Sequence, residues 1–105
     1  MGHDASRFDI FPAGLPESIK AKVEKMSKDM GIPQQAIYEE ALRSFEEYRK
    51  AHAHAYEKYE GGTQTSIRLR IETKKRMLKR AKEDHVSGKT VVCNAVQSFY
   101  EKAYK

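Results

Sequence analysis

Six residues, Ser66-Ile67-Arg68-Leu69-Arg70-Ile71, alternate polar and apolar without exception. Successive side chains of a strand point to opposite faces, so this is the period of a strand with one buried side. Ile67, Leu69 and Ile71 would turn to a core, and Ser66, Arg68 and Arg70 to solvent. A single strand leaves its backbone N–H and C=O groups unpaired and must find a second extended segment. Two sources exist: the early stretch Arg7-Phe8-Asp9-Ile10-Phe11, in which Phe8 and Ile10 alternate with polar neighbours, or the same strand of another copy. In the first case Arg7, Asp9 and Phe11 would face outward. Either way the product is a two-stranded antiparallel ribbon on a helical core, so the expected class is mainly α with one short ribbon.

The rest of the chain has helical spacing. Ile19, Val23, Met26 and Met30 recur at intervals of four, three and four, which predicts a helix over about 17–30. Pro33 suits a first-turn position, where its missing N–H is no loss. The helix it opens carries Ile37, Ala41, Leu42, Phe45 and Tyr48 and meets no breaker before Gly61, so it is expected over about 33–59, with Tyr56 and Tyr59 covering the core. After Gly61-Gly62 come the strand, about 64–71, and a basic helix over about 72–85 burying Met77, Leu78 and Ala81. Ser87 caps a last helix over about 88–103, with Val91, Val92, Ala95, Val96 and Phe99 inward.

The order β-α-α-β-α-α suggests an internal repeat. At an offset of 54, Ile37 meets Val91, Ala41 meets Ala95, Leu42 meets Val96, Ser44 meets Ser98 and Phe45 meets Phe99. The preceding helices match, Val23 with Leu78 and Met26 with Ala81, only if the offset slips by one. The reading is two halves, 1–60 with a degenerate strand at about 7–11 and 61–105, joined in one compact domain.

Charge divides the same way. Residues 1–60 hold nine Lys/Arg against eleven Asp/Glu, residues 61–105 eleven against four, within a net charge of +5. The basic half points to a polyanionic partner, nucleic acid first. No apolar run exceeds three residues, so neither a membrane span nor a secretory signal is expected. The one cysteine, Cys93, forms no internal disulfide and suits a reducing cytoplasm. It falls on the helix face away from Val92 and Ala95 and reads as inert. His52 and His54, two apart on a helix, do not share a face, and His3 and His85 are isolated, so no metal site is expected. With no Ser-His-Asp set and no glycine-rich phosphate loop, the chain reads as neither an enzyme nor a cofactor or small-molecule binder.

A two-stranded ribbon fits the DNA major groove, where arginine takes guanine O6 and N7 through both guanidinium nitrogens. The start of the last helix, Ser87-Gly88-Lys89-Thr90, offers free N–H groups and a positive dipole end to a phosphate, with Lys74 and Lys75 nearby. Ser66-Ile-Arg-Leu-Arg-Ile71 followed by HVSGKTVVCNAVQSF, and the helix pair LPESIKAKVEKMSKDMGIPQQAIYEEALRSF, resemble the ribbon-helix-helix (MetJ/Arc) family over roughly 8–48 and 64–104. The resemblance implies a tandem, single-chain pseudo-dimer that binds double-stranded DNA. Base readers would be Gln64, Ser66, Arg68 and Arg70, and backbone contacts Ser87, Gly88, Lys89, Thr90, Lys74 and Lys75. Weaker candidates in the first half are Arg7, Gln34 and Gln35. The first half departs from the pattern: Pro12-Ala13-Gly14 separates strand from helix, and an outward Asp9 would repel phosphate. Tandem chains of this layout resemble transcriptional regulators and TraY-like accessory factors of conjugative or T-DNA transfer, which implies further copies on DNA or relaxosome-type proteins as partners. The alternatives are a protein-interaction module (an antitoxin or adaptor) of the same fold, or a homodimer through residues 64–105.

Overall fold

The computed structural model describes residues 7–105, which leaves His3 outside it. Strand β1 (Phe8–Leu15) leads into helix α1 (Glu17–Met30) and helix α2 (Gln34–Ala51); strand β2 (Thr63–Arg70) leads into helix α3 (Ile71–Glu83) and helix α4 (Gly88–Ala103). The two strands form one antiparallel ribbon within the chain, paired from Phe8 opposite Arg70 to Leu15 opposite Thr63. The described residues are mainly helical with this single ribbon.

β1 is longer than its sequence pattern suggests and is not broken by Pro12-Ala13-Gly14. In a two-stranded ribbon every strand has an open edge, and a proline whose missing N–H faces that edge removes no ladder bond. Burial supplies the drive, because Ala13 and Leu15 both enter the core beside Ile67 and Leu69. That fixes the parity of β1, and it is the reverse of the expected one. Phe11 packs on the core, Ile10 is 46% exposed, and Phe8, opposite Arg70, lies on the outer face. Asp9 is on the helix side, where Lys74 of α3 donates to its Oδ2 at 3.0 Å and to the Ile10 carbonyl at 3.0 Å. Ile71 is not the end of the strand but the first residue of α3, half-buried, its N–H donating to the Arg7 carbonyl.

Positions 54 apart share their backbone geometry. Both long strands pass through an extended residue, Pro16 (φ −61, ψ 150) and Arg70 (φ −61, ψ 147), into a helix. Both first helices end on a left-handed residue, Gly31 (φ 69) and His85 (φ 58). The following N–H groups return to equivalent carbonyls, Ile32 to Ser27 and Val86 to Ala81. This left-handed closure is the common way of satisfying the last carbonyls of a helix. Pro33 and Ser87 then stand as N-caps in the same extended conformation. Val23 and Met77, also 54 apart, are both buried, whereas Leu78 is 42% exposed. No slip of the offset is needed, and Leu78 is not a core residue.

α2 stops at Ala51, not near Tyr59, and His52 is extended (φ −137, ψ 141). Residues 52–62 instead run back toward the ribbon, held by side chains far away in sequence. The buried Asn94 accepts the Glu57 N–H at 3.0 Å and donates to the Glu57 carbonyl at 3.0 Å and the Thr90 carbonyl at 2.8 Å. Tyr56 packs against Phe45 and donates its hydroxyl to Asp84 at 2.5 Å. Helix propensity is worth tenths of a kcal/mol per residue, less than this set of buried polar bonds. Tyr56 and Tyr59 cover the core as expected, while Tyr48 is exposed and stacks on His52.

α4 is the central helix: Val91 through Val96 are all buried, Cys93 included. Cys93 therefore does not face away from the core, because neighbours cover this helix on every side. Burial pushes its thiol up to about 11, against a weaker opposing pull from Lys89.

Candidate nucleic-acid interface

The ribbon's outer face is built from two unlike strands. From β2 come Gln64, Ser66, Arg68 and Arg70, all exposed. Opposite them, in register, stand Gly14, Pro12, Ile10 and Phe8 of β1. Directly opposed residues on one face are neighbours, their Cβ atoms about 5 Å apart. The Phe8 ring lies beneath both guanidinium groups, 5.3 Å from Arg68 and 5.8 Å from Arg70, near enough for each cation to be drawn to the ring face. Sequence reasoning missed Phe8 and Ile10 on this surface. The signal was present in the 54-residue offset, which superposes Ala13 and Leu15 on the inward Ile67 and Leu69.

Six arginines, from Arg43 to Arg80, sort into two groups. Arg43, Arg49, Arg76 and Arg80 each approach a carboxylate, at 2.5, 2.7, 3.8 and 3.1 Å. Arg68 and Arg70 have no carboxylate partner among the described residues; their guanidinium groups lie over Phe8. A paired guanidinium has its charge cancelled in place, whereas these two project theirs outward.

Two helix starts flank the ribbon. α4 begins over β1: a Cβ added to Gly88 would stand 2.7 Å from Phe11 Cζ and 3.1 Å from Met77 Sδ, so a larger residue there would have to push those side chains aside. Ser87 caps this helix, its Oγ accepting the Thr90 N–H at 3.1 Å and lying 2.9 Å from Thr90 Oγ1. The N–H groups of Gly88 and Lys89 have no place in the helix ladder and point out of its end. Lys89 Nζ donates to the Gly61 carbonyl at 2.9 Å, tying the helix start to the glycine pair before β2. α2 begins beside β2, with Gln34 exposed and Gln35 half-buried in its first turn. Its Glu39 takes the Arg70 N–H on Oε2 at 2.5 Å and the Thr73 hydroxyl on Oε1 at 2.6 Å, so α3 is capped by a carboxylate from another helix. That is the favourable end for a negative charge.

Lys75 is exposed on α3, but Lys74 is not available in the same way. Its side chain is 23% exposed and its ammonium is bound to Asp9, whose carboxyl it holds below the usual range by its hydrogen bond, helped by the Ile10 N–H and the lysine's charge. Asp9, expected to oppose phosphate, is thereby neutralised on the far side of the ribbon. Arg7 is exposed at the start of β1.

Beneath this surface, a part-buried charge network joins α2, the returning segment and α3. Arg49 grips Asp84 at 2.7 and 3.1 Å, and Arg80 grips Glu46 at 3.1 and 3.2 Å. Burial alone would raise the Asp84 carboxyl, but the bonds from Arg49 and Tyr56 and the charges of Arg49 and Arg80 outweigh it and hold the carboxyl low. Among the described residues no three His, Cys, Asp or Glu side chains come together as a metal site. Among the described residues no helix is long and apolar enough to cross a membrane. Searches against protein-family models, curated proteins and solved structures return no match for this chain.

Proposed function

We propose that this chain is a tandem ribbon-helix-helix protein, its two halves related by duplication, that binds double-stranded DNA with the ribbon in the major groove. The observation that carries the reading is the pair of exposed guanidinium groups, Arg68 and Arg70, with no carboxylate partner among the described residues. They stand on the outer face of a ribbon whose inner face is core. Arg68 and Arg70 read bases, with Ser66 and Gln64 alongside. The starts of α4 (Ser87, Gly88, Lys89, Thr90) and α2 (Gln34, Gln35) fix the duplex backbone on either flank, and Lys75 adds a phosphate contact. Lys74 serves the fold, through Asp9. The in-chain pairing of β1 with β2 favours a monomeric pseudo-dimer over pairing of residues 64–105 with a second copy. Regulation of transcription and assistance to plasmid or T-DNA transfer both use such binding.

The test is selection of duplexes from a random pool, followed by gel shifts of variants on selected and scrambled sequences. Arg68→Ala should cost about 1–3 kcal/mol on the selected site and relax its specificity, while Lys89→Ala should weaken binding to all sequences alike. An unchanged profile for Arg68→Ala, or no duplex retained above scrambled DNA, would overturn the reading. Light scattering of the free protein should return about the chain mass of 12.1 kDa.

A further inference from the structure

We propose that β1 gives the ribbon a second readout, of a pyrimidine C5 methyl group beside the guanine held by Arg68, with Ile10 as the contacting side chain. The proposal rests on the DNA-binding reading above and names what the arginine-free strand does there. Phe8, Ile10, Pro12 and Gly14 form the outward side of β1, and none has a side-chain donor or acceptor for a base edge. Ile10 is 46% exposed and stands opposite Arg68 on the same face. An aliphatic side chain held to solvent next to a guanidinium with no carboxylate partner among the described residues gains by being covered, and Arg68 determines what can cover it. The guanidinium draws in a surface rich in acceptors, and the apolar group such a surface offers in the major groove is the C5 methyl of a pyrimidine.

The neighbouring charges agree. A carboxylate on this face would repel phosphate and would accept from the cytosine amino group, favouring cytosine by its amine. The one acid of β1, Asp9, is turned to the other side and bound by Lys74. Recognition by Ile10 therefore depends on the methyl, whether thymine or 5-methylcytosine supplies it. Its counterpart 54 residues on is Gln64, an amide near the opposite end of the ribbon, so this contact falls in one half of the site only.

The experiment uses one selected duplex made in four forms, with thymine, uracil, cytosine or 5-methylcytosine at the pyrimidine beside the Arg68-dependent guanine. Each is titrated by fluorescence anisotropy with the wild-type chain, Ile10→Ala and Ile10→Val. Covering one methyl group is worth about fourfold in affinity. The wild type should prefer thymine over uracil, and 5-methylcytosine over cytosine, by about that factor. Ile10→Ala should bring both ratios close to one with its salt dependence unchanged, and Ile10→Val should fall between. A thymine preference alone would support the proposal and identify thymine as the source; a 5-methylcytosine preference alone would do the same for the modified base. Ratios near one in the wild type, or wild-type ratios kept by Ile10→Ala, overturn the methyl contact while leaving DNA binding in place. A wild type that retains no duplex above scrambled DNA removes the underlying reading, and the proposal with it.

Discussion

The two adjacent glycines before β2 are predicted to behave very differently when each is replaced by alanine. Gly61 has φ +71, and a Cβ built there meets nothing within 4 Å. Gly62 has φ +107, and its added Cβ would lie 2.4 Å from the Leu15 carbonyl carbon, 2.5 Å from its oxygen and 2.7 Å from the Pro16 nitrogen. For Gly61→Ala the cost is that of a left-handed L-residue, about 1 kcal/mol. For Gly62→Ala the backbone conformation itself costs about 1–3 kcal/mol. The overlap is with main chain, which cannot swing aside as a side chain does, so it adds about 1–3 kcal/mol more. The expected totals are about 4 kcal/mol against about 1.

In urea, with an m-value of about 1.5 kcal/mol/M, the midpoint should fall by about 2.7 M for Gly62→Ala and by about 0.7 M for Gly61→Ala. The difference has a consequence for the outer face. Gly62 sits where β1 turns into α1, at the end of the ladder that sets Leu15 opposite Thr63. Side chains alternate with a period of two, so a one-residue slip of β2 would put Ile67 and Leu69 outside and hide both arginines. A Gly62→Ala chain that stays folded by slipping should lose sequence-specific binding as well. Equal midpoint shifts in the two variants would refute the close-approach argument.

Phe8→Leu keeps an apolar side chain but removes the ring under Arg68 and Arg70; a cation–ring contact at an exposed site is worth about 0.5–1 kcal/mol, so specific affinity should drop about two- to fivefold with the salt slope intact, in the same anisotropy assay. Asp84 is held below its ordinary 3.8 in the folded chain, so it binds fewer protons there than when unfolded. Its stabilising contribution is full above that value and fades as pH falls through the lower folded one. Urea midpoints should therefore decline in acid, and Asp84→Asn should flatten that decline while lowering stability at neutral pH. Cys93, buried and raised to about 11, is a protonated thiol at neutral pH, so its labelling by a thiol reagent should track global unfolding and speed up in denaturant.

β2 was legible because its alternation is strict and its inner residues are all aliphatic. β1 was not, because Phe8, Ile10 and Phe11 put apolar groups on both parities, and alternation alone cannot choose between them. What chooses is the burial of Ala13 and Leu15 beyond the proline, in a stretch that local rules assign to a turn. The helix starts were readable from Pro33, Ser87 and the periodicity, and α1 spans its expected residues. The end of α2 was not, since nothing between Ala51 and Gly61 breaks a helix; the stop is imposed by Asn94 and Asp84, more than twenty residues away. Likewise Lys74 looked like any exposed lysine until the register placed Asp9 above it.

A ribbon made by two identical chains must show the same side chains from both strands, so it can meet only a site with the same symmetry. Here Pro12 and Ser66 face each other and are themselves 54 apart, which puts the pseudo-twofold axis through that pair. Moving outward from it, Arg68 and Arg70 are opposed by Ile10 and Phe8, whereas the other end has Gln64 opposed by Gly14. On the proposed duplication, halves joined in one chain are free to differ in side chains while keeping the shared backbone. The cation density, the aromatic support and the exposed isoleucine all fall at one end. If the ribbon binds DNA as proposed, this arrangement suits a site whose halves differ, guanine-rich where β2 ends and more weakly specified where it begins. The duplexes returned by selection should therefore be non-palindromic. A perfect inverted repeat would mean that the asymmetry of this ribbon is not read at all.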